Sequence, residues 1–62
     1  MLEHIALRAA IAELPERERN VIALRFYRGL TQQKCAALLH ISQVQVSRLE
    51  RKAIAHLREQ LS

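Results

Sequence analysis

The sequence predicts an all-α fold: a compact four-helix domain whose last two helices form a helix-turn-helix, with no strands to build a wing. Three observations predict it. Apolar residues recur at spacings of three and four rather than two. The one Pro and the one Gly stand as punctuation at 15 and 29. Hydroxyl residues suited to opening helices, Thr31 and Ser42, each precede a periodic run.

In order along the chain, Leu2, Ile5, Ala6, Ala9 and Ala12 lie at helical spacing, with Glu3, Arg8 and Glu13 off that stripe. This predicts an amphipathic helix over about 2–13. Leu14-Pro15 interrupts it, and Pro15 suits the first turn of the next helix, where a missing N–H costs nothing. Glu16 and Glu18 sit near the positive end of that helix's dipole. Val21, Ile22, Leu24 and Phe26 carry it to about Tyr27, with Phe26 and Tyr27 expected at the core and its edge rather than as base-stacking groups. Gly29 is the stop, at the left-handed position past the helix end. Thr31 caps a helix over about 32–39, with Lys34 in place of the acid or amide that a reciprocal capping box needs. Ser42 and Gln45 do have capping-box spacing, and Val46, Leu49, Ala53, Leu57 and Leu61 then predict a helix over about 43–60.

Composition bounds the function. The 62 residues make one domain at most, 1–62, with a core that must be small and helix-rich. A single Cys permits no internal disulfide, which suits a reducing, cytoplasmic compartment. No run nears the ~18 apolar residues of a membrane span, and no signal peptide is visible. Ten Lys plus Arg against six acids give a net charge of +4, which favours a polyanionic partner, although many plain soluble domains are as basic. Cys35 at a core position reads as an inert small hydrophobe. His4, His40 and His56 lie far apart, and Cys35 with His40 lacks two further ligands, so no metal site is expected. Asp is absent, no Ser, His and acid set suggests a nucleophile, and no Gly-rich loop waits for a phosphate. Neither an enzyme, a cofactor nor a small-molecule substrate is expected.

Residues 31–50 are the most informative stretch. Two short helices crossing steeply need a small residue at their approach, and Ala36 is placed for it. They also need apolar residues in the angle between them, and Cys35, Leu39, Ile41, Val46 and Leu49 fit. The turn needs positive φ, most often Gly; here His40 must adopt it, at some cost. A generic helical hairpin would meet this set of caps, small position and turn length only by coincidence. On the last helix, Gln43, Val44, Ser47 and Arg48 lie in the first two turns, off the Val46/Leu49 stripe. A helix in the major groove presents such residues to base edges. Gln pairs with adenine, Arg with guanine, and the Val44 methyls suit a thymine methyl. Without the helix-turn-helix context, a solvated polar face would be the better reading. Arg51, Lys52 and Arg58 either extend a phosphate-facing stripe or are solvated charges.

Leu14-Pro15-Glu16-Arg17-Glu18-Arg19, followed by Val21, Ile22, Leu24, Arg25, Phe26 and Tyr27, resembles the opening of region 4 of bacterial sigma factors. Leu30-Thr31-Gln32-Gln33 and the run from Ile41 to Ala53 resemble its helix-turn-helix, most closely in the sporulation, flagellar and general-stress types. The likeness covers about residues 13–61. It implies binding to the −35 element of double-stranded promoter DNA, docking on the RNA polymerase β flap, and competition from anti-sigma proteins, with no membrane partner. By motif position it puts Gln43, Val44, Ser47 and Arg48 on bases, and Arg17, Arg25, Thr31 and Gln32 near phosphates. A helix N-terminus at Thr31 and Gln32 offers free N–H groups to a phosphate. The likeness also assigns the N-terminal helices and the distal last helix to flap docking. His40 stands where the family has Gly, and Lys34 and Cys35 stand where an acid and a branched apolar residue are usual. The segments that open the −10 element lie outside these residues. The chain is thus expected to be an excised domain or a small relative that does not initiate transcription by itself.

Two other functions share this sequence pattern. A protein-interaction module would use the apolar stripe of residues 2–13 on the flap or an anti-sigma partner, its helix-turn-helix occluded or idle. The output domain of a response regulator or small repressor shares both the fold and the Leu-Pro-Glu-Arg-Glu opening.

Overall fold

The computed structural model describes residues 2–61, with side chains from Ala6 onward. Its elements are α1 (Leu2–Ala12), α2 (Glu16–Ile22) running on into a π-helical turn (Ala23–Tyr27), α3 (Gln32–Leu39) and α4 (Gln43–Leu61). Helix α4 has 19 residues, ~28 Å at 1.5 Å per residue, and spans most of the 34 Å long axis. The other three helices pack against it. Among the described residues, no helix is long and apolar enough to cross a membrane.

Local chemistry sets the boundaries. Pro15 is extended (φ −53°, ψ 148°) and precedes α2 as its cap rather than forming its first helical residue, and its carbonyl accepts from Arg19 N at 2.9 Å. The Thr31 hydroxyl accepts from Lys34 N at 3.2 Å and opens α3. His40 takes the left-handed conformation (φ 58°, ψ 42°) that the turn requires. Ile41 N then donates to the Ala36 carbonyl at 3.1 Å, closing α3 in Schellman fashion. Ser42 and Gln45 form the reciprocal box: Gln45 N donates to Ser42 Oγ and Ser42 N to Gln45 Oε1, both at 3.1 Å. Gly29 has φ +69°, as a chain reversal there demands.

The core has two parts. Val21, Cys35, Ala36 and Val46 form the part beneath the helix-turn-helix, with Leu24, Leu30, Leu39, Ile41 and Leu49 packed on it. Leu14, Ile22 and Ala53, with Ile11 and Leu57, join α1 and α2 to the middle of α4. The expected wedge of Cys35, Leu39, Ile41, Val46 and Leu49, with Ala36 at the close approach, is found as described.

Three further expectations change. In α1 the covered face is Leu7, Ala10, Ile11 and on to Leu14; Ala6, Ala9 and Ala12 are exposed. The larger side chains at this other helical spacing bury more area than alanines do, and so set the rotation of the helix. Leu2 and Ile5 belong to the predicted stripe, but their side chains lie outside the described residues. Leu61 is 47 % exposed, because the apolar stripe of α4 loses its cover one turn beyond Leu57. The second helix is not α-helical throughout: Arg28 N donates to the carbonyl of Ala23, five residues back, at 3.1 Å. That widened turn rotates the last side chains outward, so Phe26 and Tyr27 are each 59 % exposed rather than core. Glu18 lies in the first turn of α2 as expected, and it is also buried, at 5 % exposed. Its Oε1 lies 2.6 Å from His56 Nδ1, a distance at which the ring N–H donates to the carboxylate and ties α2 to α4.

Candidate nucleic-acid interface

The first turns of α4 carry two adjacent polar stripes. Gln43, Ser47 and Glu50 follow the i, i+4, i+7 spacing of one helical face, and Val44, Arg48 and Arg51 follow it on the next. Lys52 borders the second stripe. Gln43, Val44, Arg48, Arg51 and Lys52 are exposed and Ser47 is half-buried. Val44 leaves 60 % of its surface in solvent, although it sits among polar neighbours on a helix whose apolar stripe lies elsewhere. The Ser42–Gln45 box fixes where this helix starts, and hence which way the stripes point.

The other sequence-predicted residues are dispersed around this surface. Thr31 and Gln32 open α3, and Gln32 reaches α4 through a 3.4 Å contact from Nε2 to Glu50 Oε1. Arg25 is drawn to the same carboxylate: its Nε donates to Glu50 Oε1 at 2.7 Å, while NH1 donates to the Leu30 carbonyl at 2.9 Å. The hydrogen bond to Glu50 raises the Arg25 pKa above its ordinary value. Arg17 is exposed on α2 and lines a shallow depression of about 270 Å³ with Glu16, Asn20, Leu39, Ile41 and Leu49, beside the His40 turn. The structure therefore brings Arg25 and Gln32 together at the flank of α4 and leaves Arg17 apart. Cys35, buried beneath them, has its thiol pushed up by desolvation.

Sequence reading passed over Glu50. Its signal was available: it is an acid between Arg48 and Arg51-Lys52, one face-repeat from Gln43. An apolar groove of about 380 Å³ lies between α1, the π turn and the distal part of α4, the elements that the likeness assigns to docking. Leu7, Ile11, Ile22, Phe26, Tyr27 and Leu57 line it, together with Ile54. Phe26 and Tyr27 carried the signal, but the α-helical register assumed for them turned them inward. Among the described residues, no cluster of three or more His, Cys, Asp or Glu gathers as a metal site would.

A short helix joined by a left-handed turn to a longer one, the second capped and presenting polar stripes at its start, defines a helix-turn-helix protein. The family described as Sigma-70, region 4 matches residues 10–59, and the chain belongs to it. It is similar to the RNA polymerase sigma-F factor of Priestia megaterium, 52 % identical over 56 residues, which cover 90 % of this chain and 22 % of that protein. It is also similar to the RNA polymerase sigma factor SigF of Mycobacterium tuberculosis, 51 % identical over 55 residues (89 % of this chain, 21 % of that protein). The RNA polymerase sigma-G factor of Clostridium acetobutylicum is 40 % identical over 58 residues (94 % of this chain, 23 % of that protein). The chain spans less than a quarter of the length of these relatives.

Proposed function

We propose that this chain recognises the −35 element of promoter DNA as the region 4 domain of a sigma factor, in transcription initiation together with RNA polymerase. The role is one of recognition, with no catalytic step. The observation that carries it is the exposed, cap-fixed start of α4, where Val44 stands 60 % exposed beside Gln43, Ser47 and Arg48. An apolar side chain held in water at the tip of a polar stripe suits a thymine methyl, and its amide and guanidinium neighbours suit purine edges. The start of α3 at Thr31 and Gln32, and the cations Arg17, Arg25, Arg51 and Lys52, are assigned to the phosphate backbone, which positions the helix without reading sequence. A module of this size covers only ~600–1,000 Å² on DNA, so alone it binds weakly and with steep salt dependence. Tethering to the polymerase supplies the missing affinity as effective concentration.

Titration against a duplex library randomised over a −35-like window tests this. Enrichment of one short motif, lost in the Val44→Ala and Arg48→Ala variants, supports the reading. Equal binding to every duplex at low salt sinks it.

The apolar groove favours a second, compatible role: docking on the β flap, or capture by an anti-sigma protein. It shares no lining residue with the base-facing stripes, although its Phe26 ring lies against the Arg25 guanidinium, 5.9 Å from the ring centroid. Phe26→Ala should weaken binding to an isolated flap segment while leaving DNA binding and the melting temperature almost unchanged, because Phe26 is 59 % exposed. Unchanged flap binding would remove the groove from this role.

A further inference from the structure

Glu50 interrupts the basic run of Arg48, Arg51 and Lys52, and its side chain is only 15 % exposed. One of its oxygens, Oε1, accepts from Arg25 Nε at 2.7 Å and from Gln32 Nε2 at 3.4 Å. The donors come from the π turn and from the start of α3, whereas Glu50 shares a stripe of α4 with Gln43 and Ser47. Arg25 is gripped a second time by the Leu30 carbonyl at 2.9 Å, so its guanidinium bridges the chain reversal and α4. A guanidinium has five N–H groups, and those left over remain available to an outside anion.

We propose that Glu50 is a positioning residue for DNA recognition. It indexes Arg25 and Gln32 to the base-facing stripe and offsets the charge of Arg25 toward duplexes in general. This rests on the DNA-binding reading above. Phosphate contacts fix register only if their donors are held; a loose cation attracts any duplex through counterion release. A carboxylate clamped to both donors therefore lowers general affinity and raises discrimination between sequences. The same geometry explains why an acid stands in an otherwise basic stretch.

The test uses the 62-residue protein and its variants Glu50→Gln, Gln32→Ala and the double variant. Each is titrated by fluorescence anisotropy on the library-selected duplex and on a scrambled duplex, at several salt concentrations, with thermal melts in parallel. Glu50→Gln should bind the scrambled duplex more tightly. Its log–log salt slope should steepen by up to ~0.9, the contribution of one phosphate. Its selected-to-scrambled ratio should fall by about threefold or more, and Gln32→Ala should lower that ratio in the wild-type background but not in Glu50→Gln, the mark of coupled residues. An unchanged ratio and salt slope in Glu50→Gln, even with a lower melting temperature, would make Glu50 scaffold only and overturn the proposal. So would additive effects of the two substitutions. Should Glu50→Gln fail to fold, Gln32→Ala at the helix start decides alone: an unchanged ratio overturns the proposal. Wild-type protein with no sequence preference refutes the DNA-binding reading itself, and the role of Glu50 falls with it.

Discussion

His56→Ala removes the partner of the buried carboxylate Glu18, whose side chain is 7 % exposed and held at 2.6 Å. The carboxylate cannot follow its partner out, because it is anchored on α2 beneath α4. Leaving such an acceptor unmatched costs about 1–3 kcal/mol. The imidazole is itself 48 % exposed, so water enters where it stood and the loss falls in the lower half, about 1–2 kcal/mol. For a domain of this size each kcal/mol moves the melting temperature by roughly 4–8 °C, giving an expected fall of about 5–15 °C. Circular dichroism at the helical band follows the melt. Adding Glu18→Met to His56→Ala should recover much of the loss, since replacing both partners by apolar groups leaves no stranded charge. A fall of about 2 °C or less, the scale of an ordinary surface substitution, would refute the reasoning, as would failure of the second substitution to restore any stability.

Arg48→Ala should cost ~1–3 kcal/mol at a single base position if the contact is bidentate, measured by competition among single-base duplex variants. Equal loss on every sequence would assign it to phosphate instead. Ser42→Ala opens the capping box and should lower stability by about 1 kcal/mol in urea titration, with the selected-duplex affinity falling too because the start of α4 frays. Burial pushes the Cys35 thiol up, so the folded state holds that proton more tightly than the unfolded chain. The stability it contributes is whole below the ordinary thiol value of about 8.5 and is lost as pH rises through the higher folded value. The urea midpoint of the wild type should therefore fall more steeply above about pH 8.5 than that of Cys35→Ala, and parallel curves would count against the burial argument.

How much could be read in advance follows the range of each interaction. The Thr31 and Ser42 caps, the left-handed His40 and Gly29, and the Cys35/Val46 wedge depend on neighbours a few residues apart, and all are found where the pattern puts them. The four base-facing candidates follow from the same local geometry and are grouped on the exposed side of α4. Glu18 falls on the apolar spacing of Leu14, Val21 and Ile22, which marks it apart from Glu16, but its partner His56 lies 38 positions away and no local pattern names it. Arg25 is a cation in the sequence like any other; only the fold reveals the carboxylate that holds it, 25 positions on. The face of α1 was misjudged because alanines supply periodicity with little area, and the covered side is decided by what α2 and α4 offer. The π turn escaped because its composition, Ala-Leu-Arg-Phe-Tyr, is as compatible with an ordinary helix.

That turn has a consequence for how length changes are tolerated. A π turn amounts to one extra residue accommodated within an otherwise α-helical segment, taken up as a local widening rather than a shift of everything downstream. Deleting a single residue from Ala23–Tyr27 would let the segment tighten to the ordinary pitch, carrying the aromatic pair around toward the interior while Gly29 and α3 stay near their places. Because Arg25 lies in the same turn and is tied to Glu50, such a deletion would also shift the contact that links this turn to the flank of α4.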